Sequence, residues 1–402
     1  MPQFEYQIKT ARGKQLKGKL SAADKSTAME ELRKRGVTVF SLKEQNTTLL
    51  SKEIYIGNPV KNVQFIIYCR QFATLIRAGV TIVDATVILS EQTDSKALRK
   101  ALRDIHSSLL RGVPYSQAVQ DHKKIFPSMF VSMIRAGEES GNLEGTLDRL
   151  AQFFEKQYKT KEKVKSALMY PITVGVLAIA AVVYLLWAIV PQFVQMFASM
   201  NAELPVVTKI VLALSNSIQH QWYYWFGGLL LLIIGFQLYK RTEKGAYWVD
   251  YAKLKVPVFG KLIQKSAIAQ FARTFSSLYA SSVPVLQSLA IVEDVAGNKV
   301  IAGFIHSAGD SLRQGNPLSE PLKKAWVFPP LVTQMIAIGE ETGALDQMLE
   351  KVADFYEMDV ENTVDRLKSL IEPLLIVFLA AVVGTIVAAI MLPMFSIYGQ
   401  MG

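Results

Sequence analysis

The chain has 402 residues, 50% of them apolar, a positive mean hydropathy and a formal charge of +10. The length admits more than one core, and the apolar share exceeds what a water-soluble domain needs, so a membrane protein is expected. A single cysteine, Cys69, excludes an intrachain disulfide framework.

No basic, apolar and small-residue leader opens the chain, so an internal apolar segment is expected to direct targeting. Residues 1–42 predict a small α+β module. Phe4, Tyr6 and Ile8 alternate with polar residues as a strand does, Leu16–Leu20 can return as a second strand, and Val37–Phe40 can add a third. Between them, Ser21 or Asp24 can cap a helix that stops at Gly36. The basic run Lys9, Arg12, Lys14, Lys17 and Lys19 reads either as a solvated hairpin face or as a surface for an acidic partner or anionic lipid. No recognition helix or aromatic platform accompanies it, so direct nucleic-acid binding is not expected. Residues 43–59, ending in Gly57-Asn58-Pro59, read as a linker.

Residues 60–165 carry apolar residues at helical spacing and predict a first bundle of short helices. Its penultimate helix is expected to open at Phe126-Pro127 and stop at Gly137. The last should begin near Ser140 and carry Leu143, Leu147, Leu150 and Phe154 on one face. Residues 166–192 carry no charge and predict a first membrane span, with Pro171 in its first turn and Pro191 near its far end. Residues 193–221 read as an external loop, and 222–239 as a second span that opens on Trp222-Tyr223-Tyr224-Trp225 and closes on Lys240-Arg241. Residues 240–368 predict a second bundle, and 369–402 a third span, containing Pro373 and Pro393, with an external C-terminus. Lysines 156, 159, 161, 163 and 165 before the first span place both bundles in the cytoplasm by the positive-inside rule.

The two bundles are copies. Ile134–Leu143 and Ile336–Leu345 share Gly-Glu-Glu-(Ser/Thr)-Gly-x-Leu, and Arg70-Gln71-Phe72, Phe126-Pro127, Pro171 and Pro191 recur as Arg273-Thr274-Phe275, Phe328-Pro329, Pro373 and Pro393. Each unit is a bundle followed by an outbound span, and the second span returns the chain between them. In the shared motif Gly137 and Gly339 are expected to end a helix in the left-handed conformation, and Ser140 and Thr342 to cap the next. Gly141, Leu143, Gly343 and Leu345 complete the motif. The adjacent pairs Glu138-Glu139 and Glu340-Glu341 have no obvious local role. They are either solvated loop charge or contacts for a partner protein.

Chemistry-bearing patterns are scarce. There is no phosphate-binding loop, no glycine-rich dinucleotide turn and no histidine pair at ligand spacing. No charge sits in the middle of a span, as an ion or proton path would require. A non-enzyme without metal or cofactor is expected; a small transporter or channel subunit and an unrelated membrane scaffold are the alternatives.

These features together resemble the type II secretion system F / type IV pilus assembly platform family over nearly the whole chain. The resemblance implies a multi-pass protein of the cytoplasmic (inner) membrane, usually a homo-oligomer, at the base of a pilus or secretion machine. It implies a hexameric cytoplasmic ATPase docking on the bundles, pilin or pseudopilin subunits meeting the spans, and contacts with other membrane proteins of the machine. The ATP chemistry would then belong to a partner.

Overall fold

The computed structural model describes residues 3–9, 15–21, 29, 38–44, 59–193, 206–257 and 259–401. Residues 1–59 and 60–402 are separate compact units. In the first, strands β1 (Gln3–Lys9), β2 (Gln15–Ser21) and β3 (Thr38–Glu44) form an antiparallel sheet of order β2-β1-β3. Phe4 pairs with Leu20 and Glu44, and a register shift between Gln7 and Ile8 bends the β1–β3 ladder. β3 extends to Glu44, two residues into the expected linker; the remainder of that linker up to residue 58, all but Met29 of the helix expected between β2 and β3, and Arg12 and Lys14 of the basic run lie outside the described residues.

The second unit contains the repeat. In its first copy, helices α1 (Asn62–Arg77), α2 (Ile82–Gln92), α3 (Lys96–Leu109), α4 (Tyr115–Gln120) and α5 (Ser128–Glu139) pack against the start of α6 (Leu143–Tyr184). After α7 (Val206–His220), α8 (Trp222–Arg241) and α9 (Glu243–Lys255), the second copy follows. It comprises α10 (Phe259–Tyr279), α11 (Val285–Val295), α12 (Lys299–Arg313), α13 (Ser319–Lys324), α14 (Pro330–Thr342) and α15 (Leu345–Met401). Glycines break the connections where the chain needs φ > 0: Gly79 and Gly112 in one copy, Gly315 in the other, each at φ 82°. The stripes Leu147, Leu150 and Leu349, Val352, Tyr356 are buried, and both bundles share one continuous apolar core.

Two boundaries differ from expectation. The bundle helix and the span after it are one helix in each copy, so Pro171 and Pro373 lie inside helices rather than in a first turn. An interior proline removes its own hydrogen bond and presses on the carbonyl four residues back; Ala167 and Leu367 pack together just upstream of the two prolines and hold the helices there. At 57 residues, α15 is about 85 Å long. Secondly, the segment expected as an external loop contains α7. Among the described residues, two helices are long and apolar enough to span a membrane, and the pair Val206–His220 with Tyr223–Arg241, bent by 79°, supplies a third if counted as one span.

The position of α7 follows from prolines. Pro191 has no N–H, so the carbonyl four residues back, at Trp187, loses its donor. The helix there adopts a π turn, Leu185–Ile189, whose bonding to the fifth residue on leaves the Leu186 carbonyl facing the same proline. Gln219 Nε2 donates to the Trp187 carbonyl at 3.0 Å and Ser215 Oγ to that of Leu186 at 2.5 Å. Pro393 likewise frees the Ala389 carbonyl, and Thr208 Oγ1 donates to it at 2.7 Å. One helix thus supplies the missing donors of both α6 and α15 and the turn that follows α6, and Val211 packs with Leu186, Val190, Ile386 and Ala389 between them. An unpaired buried carbonyl costs about 1–3 kcal/mol. We expect Thr208→Val to destabilise the protein in detergent by that amount in thermal or denaturant unfolding. Thr173→Val, which removes only an exposed bond within its own helix, should be near neutral. Equal effects of the two would refute the role of α7.

Candidate functional site

The duplicated turn joins α5 to α6 and α14 to α15, and each of its residues has a separate job. Gly137 is inside α5, buried, where an added Cβ would lie 2.7 Å from Thr146 Oγ1; at Gly339 it would lie 2.8 Å from the Leu345 Cα. The glycines allow two helices to touch. The left-handed residues are Gly141 at φ 69° and Gly343 at φ 70°, correcting the expectation for Gly137 and Gly339. Ser140 closes α5 as its C-terminal residue, and Thr342 Oγ1 bonds back to the Ile338 carbonyl at 2.7 Å. Neither caps the following helix. In the first copy that role belongs to Asn142, whose side chain accepts from Gly145 N at 3.1 Å. The helices therefore end and begin later than the sequence implied, because the close approach of glycine to the next helix, not local propensity, sets the corner.

The two glutamates of each pair separate in role. Glu138 accepts from the backbone N–H groups of Tyr115 at 2.7 Å and Ser116 at 3.0 Å. Its twin Glu340 accepts from Leu318 at 2.6 Å and Ser319 at 3.1 Å. Both cap the start of a six-residue helix whose own N-cap, Pro114 or Leu318, makes no side-chain cap bond. Glu139 and Glu341 are exposed. Glu139 lines an open groove with Gln117, Gln120 and Arg135, and Arg135 is tied to Gln120 at 2.8 Å. Among the described residues, no three His, Cys, Asp or Glu side chains gather as metal ligands.

A second duplicated device had no assigned role in the sequence. Arg70 of α1 grips Glu155 of α6 through two bonds of 2.8 and 2.6 Å and reaches Asp148 at 3.2 Å. Its counterpart Arg273 of α10 grips Glu357 through two bonds of 2.8 Å and also pairs with Asp354. Planar guanidinium and carboxylate match in such two-bond pairs, which fix the angle between helices as well as contribute energy. The recurrence of Arg70 as Arg273 was visible; the recurrence of Glu155 as Glu357 on the facing helix was the signal that could have found the pair. Lys156 of α6 joins Asp354 at 3.0 Å, and Lys163 joins Glu361 at 2.6 Å, so the two long helices are laced together across the copies.

Arg70 holds the Glu155 carboxyl below its ordinary range, mainly by hydrogen bonding. Burial works against the charged form of Asp354, but the bonds from Arg273 and Lys156 outweigh it and hold that carboxyl low as well. Burial pushes the Cys69 thiol up, leaving it unreactive.

Helices long and apolar enough to span a membrane, each continuing from one of two paired bundles, define a polytopic class of membrane protein. Residues 68–191 and 271–393 match the family description "Type II secretion system (T2SS), protein F", and residues 1–43 match "Type II secretion system protein F, N-terminal domain". The chain is 39% identical to the "Type IV pilus assembly protein PilC" of Thermus thermophilus, over 100% of this chain and 99% of that one. It is 35% identical to the protein of the same description from Myxococcus xanthus, over 99% and 95% of the two chains. With "Type II secretion system protein F" of Aeromonas hydrophila the identity is 33%, over 92% and 96%. The chain belongs to the type II secretion system protein F family, as the sequence resemblance implied.

Two predictions come from these contacts. Glu138→Ala or Glu340→Ala should each cost about 1–3 kcal/mol by uncapping a helix, while Glu139→Ala and Glu341→Ala stay within about 0.5 kcal/mol, measured by unfolding in detergent. Because the Glu155 and Asp354 pKa values are lowered on folding, their stabilisation is complete above the ordinary carboxylate range and is lost as pH falls through the folded-state values. Thermal stability should therefore drop below about pH 4, and Glu155→Gln should flatten that dependence; an unchanged pH profile would remove the clamp from the explanation.

Proposed function

We propose that this chain is the cytoplasmic-membrane platform of a type IV pilus or type II secretion machine. It takes movement from a hexameric cytoplasmic ATPase and delivers it to pilin or pseudopilin subunits entering a fibre. The observation that carries the reading is the unbroken passage of α6 and α15 from bundle into span, with no flexible joint between. A displacement imposed on a bundle then reaches the bilayer as a displacement of the span. The lacing of α6 to α15 by Lys156 and Lys163 supports movement of both copies as one body. ATP hydrolysis is assigned to the partner, the bundles to the cytoplasmic side, the C-terminus to the outside, and the working form to a homo-oligomer.

Within this reading Glu139 and Glu341 are the duplicated carboxylates left for a partner, while Glu138 and Glu340 are occupied as caps. Full-length protein in detergent should capture the assembly ATPase encoded in the same genome, and Glu139→Lys with Glu341→Lys should reduce capture without lowering insertion. Inserting glycines between Lys165 and Ser166 should leave capture intact and abolish fibre assembly. Normal fibre yield from the glycine insertion would sink the transmission model, and undiminished capture by the double lysine variant would move docking elsewhere.

A further inference from the structure

An aromatic ladder outside the spans rests on the core through Tyr251 and leaves its other rings largely exposed. Tyr247, Trp248, Tyr251 and Trp326 follow one another with ring centroids 6.3, 5.8 and 5.8 Å apart, and the Lys255 ammonium sits 4.2 Å from the Trp326 ring centroid. Trp248 is 58% exposed, and Tyr247 and Trp326 are 45% exposed each. Helix α9 buries Gly245, Asp250 and Leu254 instead. Val256 and Phe259 extend the exposed apolar surface at the corner into α10.

Two connections place this ladder at the level where the chain enters the membrane. At one end, α9 starts at Glu243, directly after the basic end of α8 at Arg241, with only the capping Thr242 between. At the other, Leu262 of α10 packs with Ala167 and Leu367, next to the last charges before the two outbound spans. Gln264, in the following turn, donates to the Val327 carbonyl at 2.7 Å, which fixes Trp326 at the same level. Residues 240–265 carry seven Lys or Arg (240, 241, 244, 253, 255, 261, 265) against two acids, Glu243 and Asp250. Asp250 is already engaged by Lys253 at 2.7 Å and by Lys299 N at 3.0 Å.

We propose that α9 and the Trp326 loop form an interfacial anchor that lies in the lipid headgroup layer on the bundle side of the membrane and binds anionic phospholipid. Trp and Tyr favour that layer because their rings are apolar and their tips are polar. Lysines around them gain from the negative surface of anionic lipid, and their stems run along apolar surface to reach it. The anchor belongs to the second copy: the residue aligned with Trp326 in the first is Lys124. It rests on the membrane-spanning reading alone and holds whichever machine the chain serves.

The test uses full-length protein in vesicles of phosphatidylcholine and phosphatidylglycerol. Trp187, Trp222 and Trp225 are replaced by Phe, so that Trp248 and Trp326 are the remaining tryptophans. We expect blue-shifted emission, quenching by lipids brominated near the headgroup end of the acyl chain, and stronger quenching as the phosphatidylglycerol fraction rises. Emission quenched by aqueous iodide and untouched by brominated lipid would overturn the proposal. A second readout keeps the other tryptophans. Cys69 is fully buried, so Trp248→Cys carries a nitroxide as a single accessible label. Collision with oxygen in preference to a water-soluble nickel chelate supports the anchor, and the reverse refutes it.

Discussion

A backbone carbonyl in an apolar phase has no water to accept from, so a proline deep in a membrane helix frees a carbonyl that another group must serve. This chain carries the same proline near the far end of the first and third apolar segments, Pro191 and Pro393. The freed carbonyls of Leu186, Trp187 and Ala389 all take donors from α7. The spans are thereby tied to one another at the end away from the bundles, and α6 and α15 are tied again by salt bridges on the bundle side. Surface ion pairs of that kind are individually weak; the shared apolar core of the bundles and the satisfied carbonyls do more to make the two copies a single body.

Duplication explains the similarity of the copies, and the partners explain where they depart. The glycines at 137 and 339 and the caps at 138 and 340 act alike because each depends only on contacts within its own copy. The arginine clamps at 70 and 273 recur too, but Lys156 of the first copy also reaches the Asp354 and Glu357 that Arg273 holds. Divergence is found where a residue faces something outside the copy. Asp354 accepts from Lys156 of the first copy, where the aligned residue is Gln152. Trp326 joins an exposed aromatic surface where the first copy has Lys124.

The repeat, the helical bundles, the apolar segments and the three strands of the N-terminal sheet were legible in the sequence, because each depends on periodicity or on chain-local composition. The motif was legible as a motif but not as chemistry. Read locally, Ser140 and Thr342 look like helix caps and Gly137 and Gly339 like helix ends. In the folded chain the helices run further, and the first glutamate of each pair caps a helix 22 or 23 residues earlier. Local pattern has no means of registering an acceptor supplied from that distance.

Sequence alone determined that this is a duplicated, mainly helical membrane protein of the secretion system F family, since hydrophobic period, charge placement and a recurring motif survive without coordinates. Tertiary structure decided what the duplicated parts do. It made Glu138 and Glu340 caps and left Glu139 and Glu341 exposed, and it fused bundle and span into one helix. It also turned an expected loop into the donor of three hydrogen bonds. Each of these depends on which polar group finds a partner once the chain is packed, and that is a property of the arrangement in space rather than of any stretch of residues.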